Sequence, residues 1–214
     1  MFKSMNVIDK IYFLLSWIIR ITLIGAIGWA IYSSNWIMLF ISVLTLFLTF
    51  LSEFFEGQFE VNLPGELQIM MVLFVYGAMF LGEVQGYYTK FWWWDILLHA
   101  VAAVILGFIG FVILYVLYKS GKIKAKPVTI TVFSFCFSLA LGTLWEVFEF
   151  LMDSSFGFNM QKSGLVDTMG DLMVNLFGAL FISGIGFFYI KKTKIFWFDR
   201  MIKHFVKNNP KFTR

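Results

Sequence analysis

The sequence predicts an all-α fold: a polytopic membrane bundle of six transmembrane helices, followed by a C-terminal amphipathic basic helix. Three observations predict it. The 214-residue chain is 60% hydrophobic and only 14% charged, far less charge than a soluble domain spreads over its surface. Its apolar residues gather into long runs, and a helix needs roughly 20 of them to cross the hydrocarbon core. Its basic residues concentrate in alternate connections between those runs.

The runs fall near Ile11–Tyr32, Trp36–Ser52, Leu67–Leu81, Asp95–Tyr118, Val128–Leu151 and Asp171–Ile190. Each is continuously apolar, whereas a barrel strand alternates between lipid and lumen. Lys3 and Lys10 precede the first run without a small-residue cleavage site, so that run is expected to be retained as a membrane helix. Cys136 is the only cysteine, which excludes an intrachain disulfide and a thiolate metal cluster.

Orientation follows from charge. Lys3 and Lys10, then Lys119, Lys122, Lys124 and Lys126, then the basic tail from Lys191 all fall on one side after six crossings. The positive-inside bias makes that side the cytoplasm. Lys90 and Lys162 fall on the other. The expected organisation is a membrane domain over residues 1–190 and a basic cytoplasmic tail over 191–214, in a bacterial cytoplasmic membrane with both termini inside. In the tail, Phe198, Met201, Ile202 and Phe205 recur at helical spacing, a stripe expected to rest on the inner leaflet. Its cations would each gain about 1 kcal/mol from anionic lipid. Nucleic-acid binding would waste that stripe, so membrane lipid is the expected partner and nucleic acid is not. Glu53–Glu66 reads as a short acidic cytoplasmic loop turning at Pro64-Gly65.

The acids are the chemically informative residues. Residues three or four apart share a helical face: Asp95 with His99, Glu146 with Glu149 and Asp153, and Asp167 with Asp171 and Asn175. The last set requires a helix that is continuous through Gly170. With the orientation above, all lie within about two helical turns, about 10 Å, of the external surface. Asp95, His99, Glu146, Glu149, Asp167 and Asp171 are the candidate catalytic residues; Glu146, Glu149, Asp171 and His99 are the candidate metal ligands. Many carboxylates with one imidazole favour Mg, Mn or Ca over zinc. The same groups could run proton chemistry, one acid neutral and another ionised. They could also simply bond helix to helix or meet water, an explanation strongest for Asp153 and Glu83. Glu146 fits it least, because an unpaired charge below the membrane boundary is costly.

Other features carry less. Trp92, Trp93 and Trp94 suit the headgroup level, with a sugar-stacking platform as the alternative. Arg20 lies near mid-membrane, either snorkelling to the cytoplasmic face or pairing with an acid. Gly25, Gly28, Gly107, Gly110, Gly178, Gly184 and Gly186 are expected to permit close helix approach. No phosphate-binding glycine loop is present, which excludes an ATP-driven pump built on this chain by itself.

The stretch Asp167-Thr168-x2-Asp171-Leu172-x2-Asn175-x2-Gly178-Ala179 resembles the final-helix signature of VanZ-like membrane proteins and of related bacterial families of unassigned function. Trp145-Glu146-x2-Glu149 and Trp94-Asp95-x3-His99 are closer to one of those related families than to VanZ itself. The resemblance covers the last three runs and implies a bacterial cytoplasmic-membrane protein. VanZ proteins tend to have glutamine after the helical glutamate and an arginine before the aspartates. Glu149 and Gln161-Lys162-Ser163 stand there instead, so the antibiotic phenotype of VanZ is not carried over.

Three function classes remain open on the residues. An enzyme would hold a divalent cation in the acid cluster and act on a phosphate-bearing substrate, a phospholipid or a polyprenyl-phosphate wall precursor. A transporter would use the acids as a proton or cation relay with Arg20. A non-catalytic envelope-homeostasis protein would use them only to order the bundle.

Overall fold

The structure is a computed structural model describing residues 6–193 and 195–213. Lys3, and Lys194 and Arg214 of the basic tail, lie outside the described residues. The described residues are 83% helical, and no strand occurs among them. Among the described residues, six helical stretches are long and apolar enough to cross a membrane: Val7–Tyr32, Trp36–Phe59, Gly65–Val84, Trp94–Lys119, Pro127–Phe156 and Leu165–Ile190. This is a multi-pass membrane protein. The chain divides into two compact units, Met1–Trp94 and Asp95–Arg214.

In the first unit, α1 (Val7–Tyr32) starts at Asn6, whose side chain accepts the Asp9 N–H at 2.9 Å. The second stretch is interrupted: α2 (Trp36–Leu48) and α3 (Leu51–Phe59) meet at Thr49 and Phe50. The expected loop from Glu53 to Glu66 is thus helical as far as Phe59, where Glu60 turns left-handed at φ 48°. Pro64-Gly65 is not a turn within a loop but the start of α4 (Gly65–Val75). Proline suits a helix start because the first N–H groups have no partner there. The chain continues from α4 as a π-helix, Tyr76–Val84, and a short α5 (Tyr87–Lys90) follows. Tyr12, Ile19, Leu23, Ala26, Val72 and Phe80 form the core of this unit.

Arg20 explains why the helix resumes after the break. It is 5% exposed and does not snorkel. Its Nη2 donates to Glu53 Oε1 at 2.6 Å and to the Thr49 carbonyl at 2.9 Å, and its Nε donates to Thr49 Oγ1 at 3.2 Å. The guanidinium lies 3.7 Å from the Phe50 ring centroid. A carbonyl freed at the end of α2 gains a charged donor, and Glu53 gains a counter-ion that lets it stay at this depth. Ser52 donates to Glu53 Oε2 at 3.0 Å, and Tyr12 shares a 2.9 Å bond with Ser52.

In the second unit, α6 (Trp94–Lys119), α7 (Pro127–Phe156) and α8 (Leu165–Ile190) follow one another through short connections. The buried residues of α7 are Ile130, Ser134, Ser138, Gly142 and Glu146, one every fourth position. Ser134 donates to the Gly107 carbonyl at 2.7 Å and Ser138 to the Ala103 carbonyl at 2.8 Å, tying α7 to α6 inside the apolar layer. Such bonds between spans are individually small, about 0.6 kcal/mol, but they set rotation as well as distance. A Cβ at Gly178 would stand 2.7 Å from that of Ala103, so α8 also approaches α6 closely. Gly25, Gly28 and Gly184 differ from expectation: nothing lies within 4 Å of a Cβ there, because they face away from neighbouring helices.

After α8 come α9 (Phe196–Asn208) and a short α10 (Pro210–Thr213). Phe198, Met201 and Ile202 of α9 are buried. The Phe198 ring meets those of Phe108, Phe111 and Tyr189 at 5.1–5.4 Å. Much of the apolar stripe is therefore covered by the protein itself.

Candidate functional site

The carboxylates meet at one end of the second unit, where α6 begins, α7 ends and α8 begins. Antiparallel succession brings these three ends together, and the fourfold spacing turns the polar face of each inward. α8 is continuous from Leu165 through Gly170, so Asp167, Asp171 and Asn175 do share a face.

His99 lies at the centre. Its Nδ1 is 3.6 Å from Glu146 Oε1 and 3.4 Å from Asn175 Nδ2. Its Nε2 is 3.7 Å from Asp95 Oδ1 and 3.8 Å from Asp171 Oδ1. The tautomer sets the ring's role: with the proton on Nε2 the Asn175 amide donates to Nδ1, whereas with the proton on Nδ1 the Nε2 lone pair faces the two aspartates and is free to ligate. Asn175 reaches the ring because residue 142 is glycine: a Cβ there would stand 2.8 Å from Asn175 Nδ2.

Two groups of ligand-bearing atoms result. His99, Glu146 and Asp171, all buried, offer atoms within 4.8 Å of one another; Asp95, Asp167 and Asp171 form a second group, with Asp171 common to both. Glu146 is 3% exposed, and among the described residues neither of its oxygens has a hydrogen-bond partner. An orphaned buried carboxylate facing an imidazole and a second carboxylate has the donor chemistry of a cation site.

The remaining expected residues fall elsewhere. Glu149 is half-buried and accepts from Trp145 Nε1 at 3.0 Å, outside both groups. Asp153 accepts the backbone N–H groups of Met160 and Gln161, each at 2.8 Å, and so orders the connection between α7 and α8. Gln161 in turn donates to Thr168 Oγ1 at 2.7 Å.

Sequence reading missed two parts. Lys162, placed by that ordered connection, lies with Nζ 2.5 Å from Asp95 Oδ2 and brings a cation to the mouth of the cluster. Gly142 was also passed over. Its signal was present as the small or hydroxyl residues stepping by four from Ser134 to Glu146. Of the aromatics before α6, Trp92 is 82% exposed, whereas Trp94 donates to the Gly77 carbonyl at 3.2 Å within the first unit.

A family model described as a predicted membrane protein, DUF2238, matches residues 14–192. An uncharacterized protein of Thermotoga maritima is 28% identical over 141 residues, covering 65% of this chain and 70% of that relative. No solved structure matches the chain.

Proposed function

The chain belongs to the predicted membrane protein family DUF2238, and from that premise we propose a divalent-cation-dependent enzyme of the bacterial cytoplasmic membrane. Its substrate in this reading is a phosphate-bearing lipid or wall precursor. The observation that carries the proposal is Glu146: both oxygens are buried without a hydrogen-bond partner, beside His99 and Asp171. A bare carboxylate there would be costly, and a cation held by the three residues removes that cost.

Mg, Mn or Ca suits this donor set. A bound cation would supply charge to phosphate oxygens that the acids alone would repel. The chain's own residues do the rest. Asn175 holds the His99 ring in one orientation. Lys162 offers an ammonium to a phosphate arriving at the mouth. Asp95 and Asp167, both half-buried, are placed to accept a proton from water or a substrate hydroxyl. The positive-inside bias puts this end on the external face and both termini in the cytoplasm. The VanZ-like signature from Asp167 to Ala179 supports a role in the cell envelope.

Metal analysis of purified protein tests the reading. Wild type should retain Mg, Mn or Ca, and Glu146→Gln and Asp171→Asn should lose it while keeping wild-type helicity. Metal-free wild type under non-chelating conditions, or equal metal in both variants, would end it.

A second reading is proton or cation transport, favoured by the line of titratable groups from half-buried Asp95 through His99 to Glu146. The Arg20–Glu53 pair, whose polar contacts are satisfied within its own unit, is not needed for it. Flux in proteoliposomes that is abolished by Glu146→Gln would support this reading.

A further inference from the structure

The second unit has another charged concavity at the end far from the carboxylates. The last turns of α6 and α8, with one face of α9, enclose a cleft of about 320 Å³. Lys119, Lys203 and Lys207 line it together with Tyr115 and Tyr189, and the aliphatic side chains of Ile202 and Val206 complete it. The nearby carboxylate is Asp199, which accepts from Lys203 at 2.6 Å. Among the described residues, no carboxylate pairs with Lys119 or Lys207.

We propose that this cleft binds the phosphate headgroup of an anionic membrane phospholipid. Lys119 and Lys207 have no carboxylate partner among the described residues, so beside the Lys203–Asp199 pair the cavity keeps a net positive charge even after the partial negative charge at the carbonyl ends of α6 and α8 is counted. A phosphate satisfies the lysines as point charges, while the Tyr189 hydroxyl is held by Tyr115 and Asp199 and shapes the wall of the cleft. The lysine face of α9 is held in place because Phe198, Met201 and Ile202 are buried against the unit. Lys203 and Lys207 are one turn apart and so share a face of α9.

Position and lining select a lipid over a free anion. The cleft sits where two spans end, which is headgroup depth for helices that cross a bilayer. Its aliphatic members suit a glycerol backbone and the first methylenes of an acyl chain. Basic pockets at such helix ends are a recurrent way of holding anionic headgroups. This site is remote from the acid cluster and does not depend on the function proposed for it.

The test uses the full-length protein in detergent, with phosphatidylglycerol, phosphatidylcholine and inorganic phosphate as separate probes. Native mass spectrometry should show phosphatidylglycerol retained by the wild type in preference to phosphatidylcholine. At about fivefold per lysine, Lys119→Gln/Lys207→Gln should weaken retention roughly 30-fold. Lys122→Gln/Lys124→Gln, in the exposed connection before α7, should leave retention unchanged. Should the double variant fail to fold, Lys207→Gln alone, on the exposed side of α9, should still weaken retention about fivefold. The proposal is overturned by wild-type retention in the cleft variants, or by equal loss in the connection variants. It is also overturned if millimolar inorganic phosphate alone displaces the lipid and protects the protein equally, which would make the ligand a free anion.

Discussion

Lys162 Nζ stands 2.5 Å from Asp95 Oδ2, so one residue of the α7–α8 connection closes an ion pair over the start of α6. The ammonium occupies a position beside Asp95 that a second cation would otherwise compete for. The cluster therefore carries a resident positive charge at its half-exposed rim and an unpartnered Glu146 at its buried end.

Removing that charge should tighten divalent-cation binding. In Lys162→Ala, Asp95 loses its neutralising partner, and the local field becomes more negative. Titration calorimetry with Mn²⁺ should show several-fold higher affinity than wild type, together with weaker capture of a phosphate-bearing substrate. Unchanged affinity would separate Lys162 from the site.

The Gly142–Asn175 contact gives a second expectation. Gly142→Leu should push Asn175 off the His99 ring and lower cation affinity about 10- to 100-fold, the usual cost of losing a partner that orients a ligand. Asn175→Ala should do the same without steric change. If both variants bind like wild type, the amide is packing and nothing more.

In the first unit, the Arg20–Glu53 pair should matter for stability. Glu53→Ala leaves a buried guanidinium without its counter-ion, and because the Glu53 side chain is 38% exposed the cost should fall below the roughly 3 kcal/mol of a fully buried pair. Arg20→Met/Glu53→Leu removes both charges and should recover most of that loss. Reversible unfolding in mixed micelles measures the difference. A double variant as unstable as the single would mean that the pair's charges are not the cause.

Topology is testable through the only cysteine. On a Cys136→Ser background, Asn159→Cys in the α7–α8 connection should react with an impermeant maleimide in intact cells. Lys124→Cys should react only after permeabilisation. The reverse pattern would put the acid cluster in the cytoplasm and exclude an extracellular substrate.

Much of this arrangement was legible in the residues. Continuous apolar runs of spanning length name the six helices, since only helices and closed barrels satisfy the backbone in lipid and barrel strands alternate. Spacing of four placed Asp95 with His99 and Asp167 with Asp171 and Asn175. Alternating helix direction then required those sets to lie at one end of the bundle. Each is a property of one helix or of its order in the chain, and so can be counted along the sequence.

What spacing cannot express is how each helix is rotated against its neighbours, and tertiary packing alone decided that. Glu146 and Glu149 are three residues apart on one helix. Close contact of α7 with α8 at Gly142 buries the first against His99, while the second turns aside to Trp145. Glu53 read as a loop acid until Arg20, 33 residues earlier, supplied the charge that keeps it helical. Lys162 belongs to the cluster only because Asp153 folds its connection back over α6. Periodicity selects the residues that share a face; contacts between distant parts of the chain select which faces meet.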